Sequence, residues 1–283
     1  MATTIFLPLA AELPNAHVFD ATLALAKQLH AHVHATYIRP DPDSAAAMMP
    51  EMILAAGVTR DAIERESGLA AAAAEAAFEE WRQRHGAAAK ADPRSEGWQA
   101  SWAEQVGEYE PIVTRRGRMS DFIVLPRPTA SGIAAQRCFD AAVFGTGRPS
   151  LLVGEACPPV MTDHIMIAWN GSLEASRAVF GAMPLLRHAH RVTIFTALNF
   201  GDEAVDREDL AAAFREHGIH TPEVVFPSGN LPTGEALVAA AAKHGATMIV
   251  MGAYTHSRLR EGFLGGVTKH LLAYAPVPLL MSH

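Results

Sequence analysis

Cysteine is nearly absent: Cys138 and Cys157 are the only two in 283 residues. Two thiols cannot build a disulfide scaffold, and without a Cys-x-x-Cys pair there is no cysteine set for zinc or an iron–sulfur cluster. Both are read as reduced thiols of an intracellular protein. Excess positive charge is missing too. The formal net charge is −7 and the pI is near 6.0, so no global attraction draws the chain to nucleic acid or an anionic membrane. No apolar run reaches the roughly 20 residues of a membrane helix without a polar or charged interruption. The opening stretch MATTIFLPLAAELPN carries no positively charged leader. A soluble, cytoplasmic protein with neither nucleic acid nor membrane as partner is expected. Three catalytic signatures are lacking as well: no GKS or GKT phosphate loop, no HExxH and no G-x-S-x-G elbow occurs.

What is present is a folding composition, with 49% hydrophobic and 19% charged residues. An alanine-rich stretch at 69–91 favours helix by propensity. Short apolar runs alternate with helical periodicity most plainly in the second half. DHIMIAWNGS (163–172) is a strand ending in an Asn-Gly-Ser turn, and LEASRAVFGAMPLLRHA (173–189) is a helix. The strands RVTIFTAL, PEVVFPSG, ATMIVMG and VPLLMS then alternate with the helices DREDLAAAFREHGI, TGEALVAAAAKHG and GGVTKHLLAYA. The first half repeats the plan. Strands are expected in TTIFLPL, HVHATYIRP, WQASWAEQVG, SDFIVLPR and the end of SGIAAQRCFDAAVFGTGRPSLLVG, with a long helix through 63–85.

This repeat predicts an α/β protein of two open, five-stranded parallel-sheet domains with helices on both faces, packed as an intramolecular pseudo-dimer. The boundary is placed in GEACPPVMTD (154–163), where Gly154, Pro158 and Pro159 break the periodicity, giving domains 1–155 and 156–283.

Ligands of open parallel sheets bind beyond the carboxyl ends of the strands. In the second half that edge collects Ala168, Asn170, Thr196, Gly252 and Thr255, with Gly265, Gly266, Val267 and Thr268 at the start of a helix. Glycines admit close approach and helix-start amides face an anion, so a phosphate cradle fits; His256, Arg258 and Arg260 add positive character. The plainer alternative makes Gly252 and Gly265 turn residues, Thr268 a cap and Asn170 part of the NGS turn. Trp169 is read as a packing residue. His30, His32 and His34 straddle a helix exit and a strand start, where alternation would gather three imidazoles for a metal; polar residues at an element edge are the favoured reading there.

With these residues in place, the chain resembles a tandem universal stress protein with two UspA-type domains, clearly from 163 to 283 and more faintly from 3 to 155. One branch of that family binds ATP or other adenine nucleotides through a frame similar to G-x2-G-x9-G-(S/T). Here Gly252-Ala253-Tyr254-Thr255, nine residues and Gly265-Gly266-Val267-Thr268 keep that register. Thr255 stands at the second glycine and Gly266 at the hydroxyl position, while Asn170 stands where the family has an acidic contact to adenine. The first half, with Pro126 and Pro128 after its fourth strand, departs further and is expected to be a degenerate domain.

The resemblance implies a stress-response protein that senses an adenine nucleotide through its C-terminal domain, with Mg2+ accompanying the phosphates and no structural metal. No dedicated enzymatic activity is expected; slow ATP hydrolysis is compatible with it, and no catalytic residue is assigned. A homo-oligomer fits the family, and no protein partner is identified. The alternative is a non-nucleotide scaffold or interaction module with vestigial sites.

Overall fold

A computed structural model of the chain describes residues 3–10, 16–41, 60–88, 97–128, 132–155, 157–196, 207–219, 223–225, 231–253 and 266–283. These residues form two compact units. Unit 1 comprises Met1–Leu125 and Ser131–Thr146, and unit 2 comprises Pro126–Ala130 and Gly147–His283.

Unit 1 contains β1 (Thr4–Leu9), α1 (Ala16–Leu29), β2 (His32–Arg39), α2 (Arg60–Arg84), β3 (Gln99–Val106), α3 (Tyr109–Gly117), β4 (Phe122–Pro126) and α4 (Ile133–Gly145). Its strands lie in the order β3-β2-β1-β4, with parallel pairing. Ile5, Phe6, Leu7, Val33 and Val124 are fully buried, as expected for a parallel sheet covered on both faces. One face is aromatic. Phe78 and Trp81 of α2 meet Trp102 of β3 and Phe19 of α1 at centroid distances of 5.4 Å and 5.2 Å, within the range of favourable ring pairs.

Unit 2 begins with β5 (Ser150–Val153) and continues with β6 (His164–Ala168), α5 (Leu173–Gly181), α6 (Met183–Leu186), β7 (Arg191–Phe195), α7 (Arg207–Glu216), β8 (Glu223–Val225), α8 (Thr233–His244), β9 (Met248–Gly252), α9 (Gly266–Tyr274) and β10 (Leu279–Ser282). The strand order is β5-β10-β9-β6-β7-β8. Leaving β5 aside, this is a doubly wound sheet whose order reverses between β6 and β9, the switch point at which such sheets open a crevice.

The expectation of two separate five-stranded parallel sheets is corrected here. Among the described residues unit 1 holds four strands, and β5 joins the second unit, antiparallel to β10 with Leu279 opposite Leu152. The physical reason is the edge of β10. An uncovered strand presents a row of unpaired N–H and C=O groups, and β5 supplies their partners. Arg127 reinforces the same region. Its guanidinium is buried, donates from Nη1 to the carbonyl of Ala275 at 2.6 Å and from Nη2 to that of Val277, and packs closely against Gly154, where an added Cβ would lie 3.2 Å from Cζ.

The helix expected over 173–189 is broken in two at Ala182, between α5 and α6. Pro184 has no N–H to give and its ring crowds the preceding turn, so the α5 ladder ends and a separate short turn begins.

Candidate functional site

The candidate site lies at the carboxyl ends of β6 and β9. Ala168 closes β6, opposite Phe195 of β7 and Met251 of β9; the N–H of Trp169 adds one more ladder bond, 2.9 Å from the carbonyl of Phe195. Thr196 follows Phe195 directly and is half-buried. The sheet therefore brings Ala168, Thr196 and Gly252 to one edge.

Asn170 starts the turn into α5. Its Oδ1 accepts from the N–H of Ser172 at 3.2 Å, Gly171 takes φ 72°, and the Ser172 hydroxyl accepts from the N–H of Ala175 at 3.1 Å. This is an Asx turn running into an N-cap. Asn-Gly-Ser thus fixes where α5 begins before any ligand is considered.

Gly252 has a packing role as well. A Cβ on it would lie 2.6 Å from the N of Ala175, 2.7 Å from the carbonyl carbon of Glu174 and 2.9 Å from its Cβ. The first turn of α5 thus rests on the end of β9, an approach only glycine allows. Beyond it, Ala253 is buried, and its N–H donates to the carbonyl of Ser282 at 2.8 Å. Its carbonyl accepts from Nδ1–H of His283 at 2.9 Å, and the His283 carbonyl accepts from Arg177 of α5 at 3.1 Å. Sequence reasoning passed over this clamp; Arg177 and His283 carry no motif.

From α9 come Gly266, Val267 and Thr268. Gly266 is exposed, has open space where a Cβ would stand and needs no positive φ, whereas Val267 is half-buried and Thr268 is buried. Because α9 follows β9 in a parallel crossover, its amino-terminal turn belongs to the edge where β9 ends. Thr255 and Gly265, together with His256, Arg258 and Arg260, lie outside the described residues.

Trp169 is 7% exposed, which agrees with a packing role, yet its indole N–H has no acceptor among the described residues. A buried donor left in that state costs about 1–3 kcal/mol. His164, whose imidazole is held below its ordinary pKa by burial and then by Arg191, stands at the amino end of β6, away from this edge. No group of three or more His, Cys, Asp or Glu residues able to hold a metal occurs among the described residues. Neither Cys138 nor Cys157 takes part in a disulfide.

Residues 161–283 match the model of the universal stress protein family. That segment, 123 of the 283 residues, is similar to the family's domain. The whole chain is similar in fold to a universal stress protein from Archaeoglobus fulgidus, at 15% identity and a TM-score of 0.69, covering 99% of this chain and 95% of that one. It is also similar to a functionally unknown protein from Pseudomonas aeruginosa, at 14% identity and a TM-score of 0.55, covering 99% and 92%. Identities this low speak for fold alone. No curated protein sequence matches the chain. The universal stress protein fold is thus present as an apparent tandem duplication, with two helix-and-sheet units of one plan. No helix among the described residues is long and apolar enough to cross a membrane.

Proposed function

We propose that the C-terminal half, residues 156–283, is an adenine-nucleotide-binding module of a stress-response protein, taking ATP with its Mg2+ at the carboxyl edge of unit 2. The observation that carries this reading is the switch point. The reversal between β6 and β9 brings Ala168 and Gly252 together at one edge, where α5 and α9 also start. Anionic groups favour such helix starts, because the free amides and the dipole act together. Three features add support: the Gly252-to-Thr268 frame, the unsatisfied indole N–H of Trp169 and the exposed, unobstructed Gly266. Nucleotide binding serves sensing here, and no hydrolytic step is assigned.

A second reading, a non-nucleotide interaction module, is favoured by one specific observation: Asn170 and Gly252 both have complete folding roles, in the α5 turn and against the first turn of α5.

Isothermal calorimetry on the nucleotide-free full chain separates the two. Saturable binding of ATP or ADP is expected, weakened in Gly265→Asp, which places a carboxylate just before α9 where phosphate is to sit. No binding of either nucleotide at millimolar concentration by a folded protein overturns the nucleotide reading in favour of the interaction module.

A further inference from the structure

The amino edge of unit 2, at the far end of the sheet from the candidate site, holds a polar cluster that the nucleotide reading does not use. His164 opens β6 and is buried. Arg191, its register partner, opens β7, and Thr193 lies two residues further along, so all three side chains leave one face of the sheet. That face meets the carboxyl end of α8, where Gly245 caps the helix with φ 66°. Nδ1 of His164 lies 3.0 Å from the carbonyl oxygen of His244 and 2.7 Å from Nη2 of Arg191. The same Nη2 donates to the His244 carbonyl, and Nε2 of His164 lies 2.8 Å from the Thr193 hydroxyl.

The two contacts of Nδ1 exclude each other. A guanidinium only donates and a carbonyl only accepts, so Nδ1 either takes a hydrogen from Arg191 or gives one to His244. With a neutral ring protonated on Nε2, Nδ1 accepts from Arg191, Nε2–H donates to Thr193, and the second Nη2 hydrogen of Arg191 serves the carbonyl. A protonated ring carries hydrogens on both nitrogens. Its Nδ1–H then suits the carbonyl alone, and the guanidinium meets a like charge. We propose that His164, Arg191 and the carboxyl end of α8 form an acid-operated latch, in which His164 takes one proton from solvent, claims the His244 carbonyl and releases Arg191.

The surroundings set the direction of the switch. Burial first, and then the Arg191 charge, hold the imidazole below its ordinary pKa of 6.5; the backbone at His244 and Gly245 pulls it upward, and the His244 side chain opposes protonation. The ring is therefore neutral above pH 6.5 and the latch closed; acidification opens it. Lys243 in the last turn of α8 and the exposed pair of Asp163 with His190, 3.0 Å apart, flank the cluster along the chain. Arg191 is itself exposed, so it can swing into water without opening the core. Release unties β7 from the end of α8 at this point and leaves both an imidazolium and a solvated guanidinium at the edge.

The test is NMR of the full native chain, following the His164 ring nitrogens and the Arg191 guanidinium from about pH 8 downward until the chain unfolds. At the start the His164 proton should sit on Nε2. The ring should then take up its second proton below pH 6.5 while the chain is still folded, and the Arg191 resonance should move with the same midpoint. Arg191→Gln should raise the His164 pKa by removing the like charge. In His164→Gln the Arg191 resonance should no longer respond over that range. The native-chain titration does not depend on how the variants fold. A neutral ring protonated on Nδ1, a ring that stays neutral until the chain unfolds, or an Arg191 resonance that does not follow it overturns the proposal.

Discussion

Gly252→Ala probes the junction on which the candidate site is built. The added Cβ would stand 2.6 Å from the N of Ala175 and 2.7 Å from the carbonyl carbon of Glu174. Carbon contacts settle at about 3.5 Å, so the first turn of α5 must retreat by about 0.9 Å. Both obstructing atoms are backbone in a capped helix, and no rotamer change relieves them. Overpacking of this kind costs about 1–3 kcal/mol; at 2 kcal/mol the folding equilibrium falls roughly 30-fold. Gly266→Ala is the internal control. It meets open space at an exposed helix start and needs no positive φ, so it should be neutral or stabilising by up to about 1 kcal/mol. Urea unfolding of both variants reads the difference as a shift in midpoint at constant slope. Equal midpoints would refute the claim that Gly252 is a close-approach glycine.

Two further outcomes follow from the titrating groups. His32 resists protonation in the fold and accepts it near pH 6.5 when unfolded. Its neutral form therefore stabilises the protein fully above pH 6.5, and that stability is lost as the pH falls toward 4, by up to about 3 kcal/mol. The stability difference between the native chain and His32→Gln should shrink over that window in urea unfolding; a difference independent of pH refutes the assignment. Burial pushes the Cys138 thiol up to about 12, whereas Cys157 is only half-buried. Iodoacetamide at pH 8 should add one label to the native chain and two after denaturation, read by intact mass; two labels on the native chain would contradict the packing of α4.

The order of elements was legible because parallel strands buried on both faces read as apolar runs, as in Met248–Gly252 and Phe122–Pro126. Helix ends marked by chemistry were legible too: Gly245, expected at the end of α8, takes φ 66° there. Contacts between distant segments were not. Nothing local in Ser150–Val153 states that it pairs with β10, and Arg127 between two prolines gives no sign of the carbonyls it holds. At the candidate site, spacing alone made Gly252 and Gly266 equal members of one frame, yet the first is required by α5 and the second has open space. Alternation along β2 correctly aligned His32 with His34. His30 is set apart by the helix exit, where it takes φ 48° and is exposed.

The pairing of β5 with β10 also governs when the protein can finish folding. Arg127 and its acceptor Ala275 are 148 residues apart, and contacts of such separation form late because the intervening loop must first be closed. During synthesis β5 emerges long before β10, the last described strand. Until then its backbone has no partner in the second unit, and it is an exposed edge of the kind that chaperones protect. Completion of the second unit thus waits for its last described strand.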